Sequence, residues 1–340
     1  MFIEEEVSTL ISEFEKPINK WKNYRILVTG SAGHLGYYFS NFLLQIDRQF
    51  NLNLILTFTS KGLMHSSFTK FKSNFNYIQG DILENGFIDS FGEFDCIIHL
   101  AGYAQPSIFI ADPSSTIKIN TEIVTSLLKK VDPSGSFLFL SSSEVYTNSE
   151  ANLSNEDMYS CISSNHPRAP YILSKLIGES LCLNELNNTK KNIKIARLSM
   201  VYGPGVKKYD TRVISEFLYK AIIDKKIVLL DQGKVQREYL YISDAIRALL
   251  NVMLFGKQSV YNIGAGNYGS ITVAEVAKII ADMAQVSLEI PESDNVNLAA
   301  RDKVGLDITR YESEFGMPVK IPFNTGIQKT FEWARNDWLH

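Results

Sequence analysis

The sequence predicts an α/β fold: a Rossmann-type, doubly wound parallel sheet followed by a smaller C-terminal α/β substrate lobe. Three observations predict it. Short apolar runs rich in β-formers alternate with helical stretches between residues 25 and 198, the pattern of strands covered on both faces. The first run leads directly into glycine punctuation and then an apolar helix, the order of an opening βαβ unit. After residue 200 the alternation loosens into helices separated by short strands.

The elements follow in order. Residues 4–16 carry the apolar spacing of a short amphipathic helix, an N-terminal extension (1–23) packed on the body. Strands are predicted at 25–29, 52–58, 76–79, 96–100, 137–140 and 194–198, with helices over 35–46, 113–130 and 171–187. Together they make a Rossmann-type domain over 24–200. Helices at 213–224, 244–255, 273–284 and 323–334, with strands at 227–230 and 260–263, form the lobe 201–340. The chain is expected to cross between the lobes more than once. Ligands of such sheets lodge at the carboxyl ends of the strands.

Composition narrows the function. Apolar residues make up 45%, charged residues 21%, and the net charge is −3 over 340 residues, ordinary for a soluble globular protein. Lysines and arginines are scattered, which argues against a nucleic-acid surface. No apolar run reaches membrane-spanning length, and the start Met-Phe-Ile-Glu-Glu-Glu is acidic. Cys96, Cys161 and Cys182 are too widely spaced for a disulfide framework. The five histidines form no cluster with them, and no metal is expected. The reading is of a cytoplasmic, reduced protein.

The turn Thr29-Gly30-Ser31-Ala32-Gly33-His34-Leu35-Gly36 follows a strand and opens a helix. Gly30 permits the tight turn, Gly33 lets backbone approach a pyrophosphate, and Gly36 lets the helix close on the strand. Unpaired N–H groups at the helix start then face the negative charge. The second strand should end in an acid that takes the adenosine ribose of NAD. It ends instead in Thr57-Phe58-Thr59-Ser60-Lys61, and Ser60 with Lys61 could accept the 2′-phosphate of NADP. Both cofactors stay open, with NAD preferred.

Tyr171 and Lys175 stand four apart on a helix, hence on one face. An adjacent ammonium favours the phenolate, drawing a hydroxyl with a pKa of about 10 toward the range of a general acid/base. The fifth strand ends in Ser141-Ser142-Ser143-Glu144, placing hydroxyls at a strand's carboxyl end.

The glycine turn, serine run and Tyr-x-x-x-Lys, in this order, resemble the extended short-chain dehydrogenase/reductase superfamily. That resemblance implies cofactor contacts from Gly30, Gly33, His34, Leu35, Gly36, Ser60, Lys61, Asp81, Ile82, Leu100, Ala101, Gly102, Tyr171 and Lys175. Tyr171 would take a hydroxyl proton while hydride leaves the same carbon. Lys175 would lower its pKa and hold the cofactor ribose, and Ser142 would hydrogen-bond the oxygen that becomes a ketone.

Ser142-Ser143-Glu144-Val145-Tyr146, Pro167-Arg168-Ala169-Pro170-Tyr171 and 212–217 (Arg-Val-Ile-Ser-Glu-Phe) are similar to segments of UDP-glucuronate decarboxylases, over residues 24–335. The likeness implies a UDP-sugar substrate, oxidation at C4 to a transient ketone, and substrate contacts from Gln105, Pro106, Arg212, Arg237 and Arg301. The ketone can lose a neighbouring carboxylate, be re-reduced to an epimer, or eliminate water. Dehydratases place Asp-Glu where this chain has Ser143-Glu144, which disfavours dehydration; Glu144 favours decarboxylation or C5 chemistry. A 4-epimerase or 4-ketoreductase is the alternative, then an idle NAD(P)-sensing scaffold. The sequence departs from the decarboxylases in Ile172-Leu173-Ser174 and in Arg301-Asp302-Lys303-Val304. Related enzymes pair through two helices, implying a homodimer built on 113–130 and 171–187.

Overall fold

The computed structural model describes residues 2–15, 17–71, 75–149, 151, 153–159, 162–266, 269–292 and 305–339. The chain forms two compact units. Unit 1 takes Met1–Val145, Ile162–Arg197 and Ile246–Tyr261; unit 2 takes Tyr146–Cys161, Leu198–Ala245 and Asn262–His340.

Unit 1 begins with helix α1 (Phe2–Phe14), whose Ile3, Val7, Leu10, Ile11 and Phe14 are buried. They are spaced three and four apart and so form one stripe. Strand β1 (Arg25–Thr29) and helix α2 (His34–Phe50) follow. Phe14 meets Phe42 of α2 edge-on at 6.1 Å, so the N-terminal extension does pack on the body. Next come β2 (Ile55–Ser60), β3 (Phe75–Gln79) and β4 (Phe94–His99). β1 pairs parallel with both β2 and β4, and Ile26, Leu27 and Val28 are wholly buried, the burial expected of a central parallel strand.

The helix predicted over 113–130 is broken. The chain forms α3 (Pro106–Ala111), α4 (Pro113–Asn120) and α5 (Glu122–Leu128). Asp112 caps α4 by accepting from Ser115 N at 3.0 Å. Thr121 donates its hydroxyl back to Ile117 O at 2.8 Å and leaves helical geometry (φ −124°, ψ −77°), a local bond that competes with helix continuation. Strand β5 (Val131–Ser142), helix α6 (Ala169–Asn188) and strand β6 (Asn192–Leu198) complete this stretch. Gly178 lets α6 approach the sheet: a Cβ there would lie 2.6 Å from both Asn120 O and the Phe139 ring.

Unit 2 contains β7 (Met200–Tyr202), α7 (Val213–Tyr219), β8 (Lys226–Val228) and β9 (Gln236–Tyr241). Residues Lys220–Asp224, predicted as the end of a helix, form a π turn. Helix α8 (Ile242–Phe255) then passes into unit 1 and leads to β10 (Val260–Ile263). The chain returns to unit 2 for β11 (Ser270–Thr272), α9 (Val273–Ala284), β12 (Ser287–Glu289), α10 (Thr309–Phe315) and α11 (Phe323–Trp338).

The main sheet has seven strands in the order β10-β6-β5-β4-β1-β2-β3. Its order reverses between β1 and β4, which opens a crevice at the strands' carboxyl ends. Unit 2 holds a three-stranded sheet, β11-β9-β7, and a pair, β12-β8. The sequence reading did not assign β7, β9, β11 or β12; β7, β11 and β12 are only three residues long, and β9 opens on the polar run Gln236-Arg237-Glu238.

Candidate active site

The site in unit 1 is assembled from the carboxyl ends of β1, β2, β4 and β5 and the first turns of α2 and α6. At β1, Gly30 has φ +70°, and a Cβ there would come within 2.7 Å of Ala101 N. The glycine turn is thereby seated on the Leu100–Ala101 peptide. A Cβ on Gly36 would strike the Gly30 carbonyl, so the opening of α2 requires glycine. Gly33 is the N-cap of α2 and makes no side-chain cap hydrogen bond, the kind of helix start that takes an anion.

Thr29 fixes the second wall. Its Oγ1 accepts from Ala101 N at 3.2 Å. His99 Nε2 faces the Ile119 carbonyl at 3.4 Å, which can only accept, so the neutral ring carries its proton there and Nδ1 accepts the Thr29 hydroxyl at 2.8 Å. Burial, with the charge of Lys175, pushes the His99 pKa down to about 3, so the ring is neutral. Gly102 follows, and a Cβ there would meet only Lys175 Nζ, at 4.0 Å. The space before the lysine is open.

At β2 and β3, Lys61 pairs with Asp81 at 2.7 Å and donates to Tyr103 Oη at 3.2 Å. The Asp81 carboxylate beside it raises the lysine's pKa. Asp81 also accepts from Leu83 N at 3.0 Å, flanking Ile82. Ser60 Oγ accepts from Gly62 N at 3.3 Å, so the end of β2 presents a hydroxyl and a paired cation. Gln105 is the N-cap of α3 and Pro106 its first residue.

Tyr171 and Lys175 open α6, which begins at Ala169 with Pro170 in its first turn, where a missing N–H costs nothing. The Tyr171 ring is stacked on Phe109 of α3 at 4.5 Å and 11°, which fixes the plane of the phenol. Lys175 Nζ lies 5.9 Å from the Tyr171 ring centre and 4.9 Å from that of Phe139. It donates to Leu140 O at 2.6 Å. Burial pushes its pKa down to about 8.

The serine run divides by role. Ser141 donates to Glu179, a buried carboxylate gripped by Arg197 at 2.7 to 3.2 Å. Ser142 instead accepts from Glu144 N at 3.2 Å and retains its own proton to donate. Ser143 opens the single turn Ser143–Tyr146. Glu144 is held by Arg168 at 2.9 Å, and Arg168 also lies over Phe109 at 5.8 Å.

Unit 1 thus brings together the predicted glycine turn, Ser142, Glu144, Tyr171 and Lys175. Arg212 and Arg237 belong to unit 2. The Arg212 fork is engaged by Asp210, with bonds of 2.6 to 3.1 Å, and Arg237 donates to Gln236 O at 2.9 Å. Arg301 lies outside the described residues. Sequence reasoning did not assign Phe109, Arg168, Glu179 or Arg197. Two of them left a signal: Glu179 stands four beyond Lys175 and eight beyond Tyr171 on one helix face, and Arg168 lies in the Pro167–Tyr171 segment that resembles the decarboxylases.

A bare helix start over a glycine cradle, with open space before a buried lysine, fits a dinucleotide. The family model for the NAD dependent epimerase/dehydratase family matches residues 26–264. UDP-glucuronic acid decarboxylase 1 of Danio rerio is 27% identical over 320 residues, covering 93% of this chain and 74% of its own length. UDP-glucuronic acid decarboxylase 6 of Arabidopsis thaliana is 27% identical over 315 residues, covering 90% of this chain and 87% of its own. MoeE5, solved in complex with UDP-glucuronic acid and NAD, shares the fold at 21% identity and a TM-score of 0.73, covering 92% of this chain and 99% of that one. The family match takes in both the glycine turn and the Tyr171–Lys175 pair, and on that ground the chain belongs to the NAD dependent epimerase/dehydratase family.

Proposed function

We propose that this chain is an NAD-dependent UDP-sugar enzyme that oxidises C4 of a UDP-hexuronate and releases its carboxyl group as CO2. The observation that carries the reading is the clustering of Ser142, Tyr171, Lys175 and the Arg168-held Glu144 at the carboxyl end of β5 and the start of α6. A dinucleotide held by the glycine turn, Ser60, Lys61 and Lys175 would supply the hydride acceptor and donor for C4.

The residues supply the rest. Tyr171, with Lys175 favouring its phenolate, takes the C4 hydroxyl proton. Ser142 donates to the oxygen that becomes the ketone. As the C5–C6 bond breaks, its electron pair is drawn toward that oxygen, where Ser142 and Tyr171 stabilise developing charge. We assign Glu144, positioned by Arg168, to proton traffic at C5. Ser143 provides no carboxyl to protonate a departing hydroxyl, which argues against water elimination. Lys61 and Ser60 flank the adenosine end, and Arg212, Arg237 and Arg301 are assigned to the diphosphate end.

The test is incubation with UDP-glucuronate and NAD, following CO2 and the sugar product by mass and NMR. Release of CO2 with a UDP-pentose, lost in Tyr171→Phe and Glu144→Gln, supports the reading. A new epimer or keto sugar with the carboxyl retained refutes decarboxylation and favours the 4-epimerase alternative.

We also propose a homodimer. Ile117 of α4 and Leu173 and Ile177 of α6 are 42%, 37% and 49% exposed, and these helices pack on each other. Such an apolar surface suits a second copy. Light scattering that gives one chain per particle would remove this. We propose a cytoplasmic location, in keeping with the free thiols of Cys96 and Cys182. Cell fractionation tests it. Among the described residues no helix is long and apolar enough to cross a membrane.

A further inference from the structure

Beneath the Tyr171–Lys175 pair lies an ionic network that the reaction scheme leaves unused. Glu179 stands one helical turn beyond Lys175 on the same face of α6. It is 3% exposed, accepts the Ser141 hydroxyl, and is held by Nε and Nη2 of Arg197 from β6. Arg197 is itself 8% exposed. A buried ion pair of this kind contributes little net stability compared with apolar residues of the same volume. Its position gives it another consequence.

We propose that Glu179, with Arg197 and Ser141, is a positioning residue: it supplies the negative charge that keeps Lys175 protonated and anchors the serine run above it. This rests on the reading of Tyr171 and Lys175 as the acid/base pair. Lys175 is 7% exposed, and that burial favours the neutral amine, while the Leu140 carbonyl and the Phe139 and Tyr171 ring faces receive its ammonium. The charged and titratable groups facing it are few. His99 from β4 is neutral, Cys182 on its own helix is a buried thiol, and Glu179 is a carboxylate that favours its ammonium. Arg197 opposes that effect from the far side of Glu179.

Ser141 adds the second link. Its hydroxyl ties the end of β5 to Glu179, and the next residue, Ser142, is the one whose proton faces the reacting oxygen in the proposed mechanism. One carboxylate therefore sets both the charge of the lysine and the register of the serine.

The test uses the full chain with NAD and compares wild type, Glu179→Gln and the double variant Glu179→Gln/Arg197→Met. Two readouts are taken: the pH profile of turnover, and the ultraviolet titration of tyrosinate as a difference against Tyr171→Phe. Glu179→Gln removes the anion and leaves the guanidinium, so both limbs of the profile move to lower pH by about one unit or more. The double variant removes both charges, so its limbs move in the same direction by less. It also leaves no buried unpaired charge, so it decides the matter alone if Glu179→Gln does not fold.

Limbs and tyrosinate titration that coincide with wild type in the double variant would overturn the proposal, however much kcat or stability falls. Turnover that survives Tyr171→Phe would overturn the acid/base reading instead.

Discussion

Replacing Lys175 with methionine should stabilise the protein while abolishing turnover. The lysine is 7% exposed, and burial lowers its pKa from 10.5 to about 8. That fall corresponds to about 3 kcal/mol by which the folded protein disfavours the ammonium at neutral pH. Methionine fills a similar volume without a charge, and should recover most of that energy. For a chain of 340 residues the melting temperature should rise by about 4 °C at pH 7.

The pH dependence gives this prediction its sign. Because the folded-state pKa is depressed, the unfolded chain binds more protons between pH 8 and 10.5, and wild type gains stability as pH rises through that window. The advantage of Lys175→Met is therefore full below pH 8 and closes toward pH 10.5. Thermal and urea unfolding at several pH values, without cofactor, measure it. A variant less stable than wild type at pH 7, or an advantage that persists unchanged above pH 10, would refute the argument that burial sets the charge of this lysine.

Tyr171→Phe should cost about 10²- to 10⁴-fold in turnover, with an unchanged melting temperature, because the ring remains stacked on Phe109. Phe109→Ala should cost about 3–5 kcal/mol of stability, since the ring is only 2% exposed, and should lower kcat by freeing the phenol; calorimetry and kinetics separate the two effects. Thr29→Val should cost about 1–3 kcal/mol, as it strips the buried His99 Nδ1 and Ala101 N–H of their partner. Urea unfolding would show it.

Much of this site was legible in the sequence because its chemistry is local. The glycine turn announces itself by spacing after a strand, and Tyr171 with Lys175 by spacing on a helix. Six strands of the main sheet were legible as short apolar runs, such as Ile-Leu-Val in β1; the seventh, β10, was expected in the C-terminal lobe and joins the sheet beside β6 instead. What was hidden depends on distant pairing. Glu179 meets Arg197 from another element, and Arg168 meets Glu144 across 24 residues, and no periodicity encodes such meetings. The partner of Arg212 was hidden as well: Asp210 engages its guanidinium fork, and no sequence pattern announced that pair. The break at Thr121 turned on one hydroxyl choosing its own helix's carbonyl.

The interleaving of the chain has a consequence for synthesis. Unit 1 is complete only when Ile246–Tyr261 has been made, because Ile195 N on β6 bonds to Ser259 O at 2.8 Å. At the ribosome's pace of about 5–20 residues per second, β6 waits several seconds for that neighbour after leaving the exit tunnel. During that interval its backbone edge is bare and open to pairing with another nascent chain. A gene cut after residue 200 would make that interval permanent.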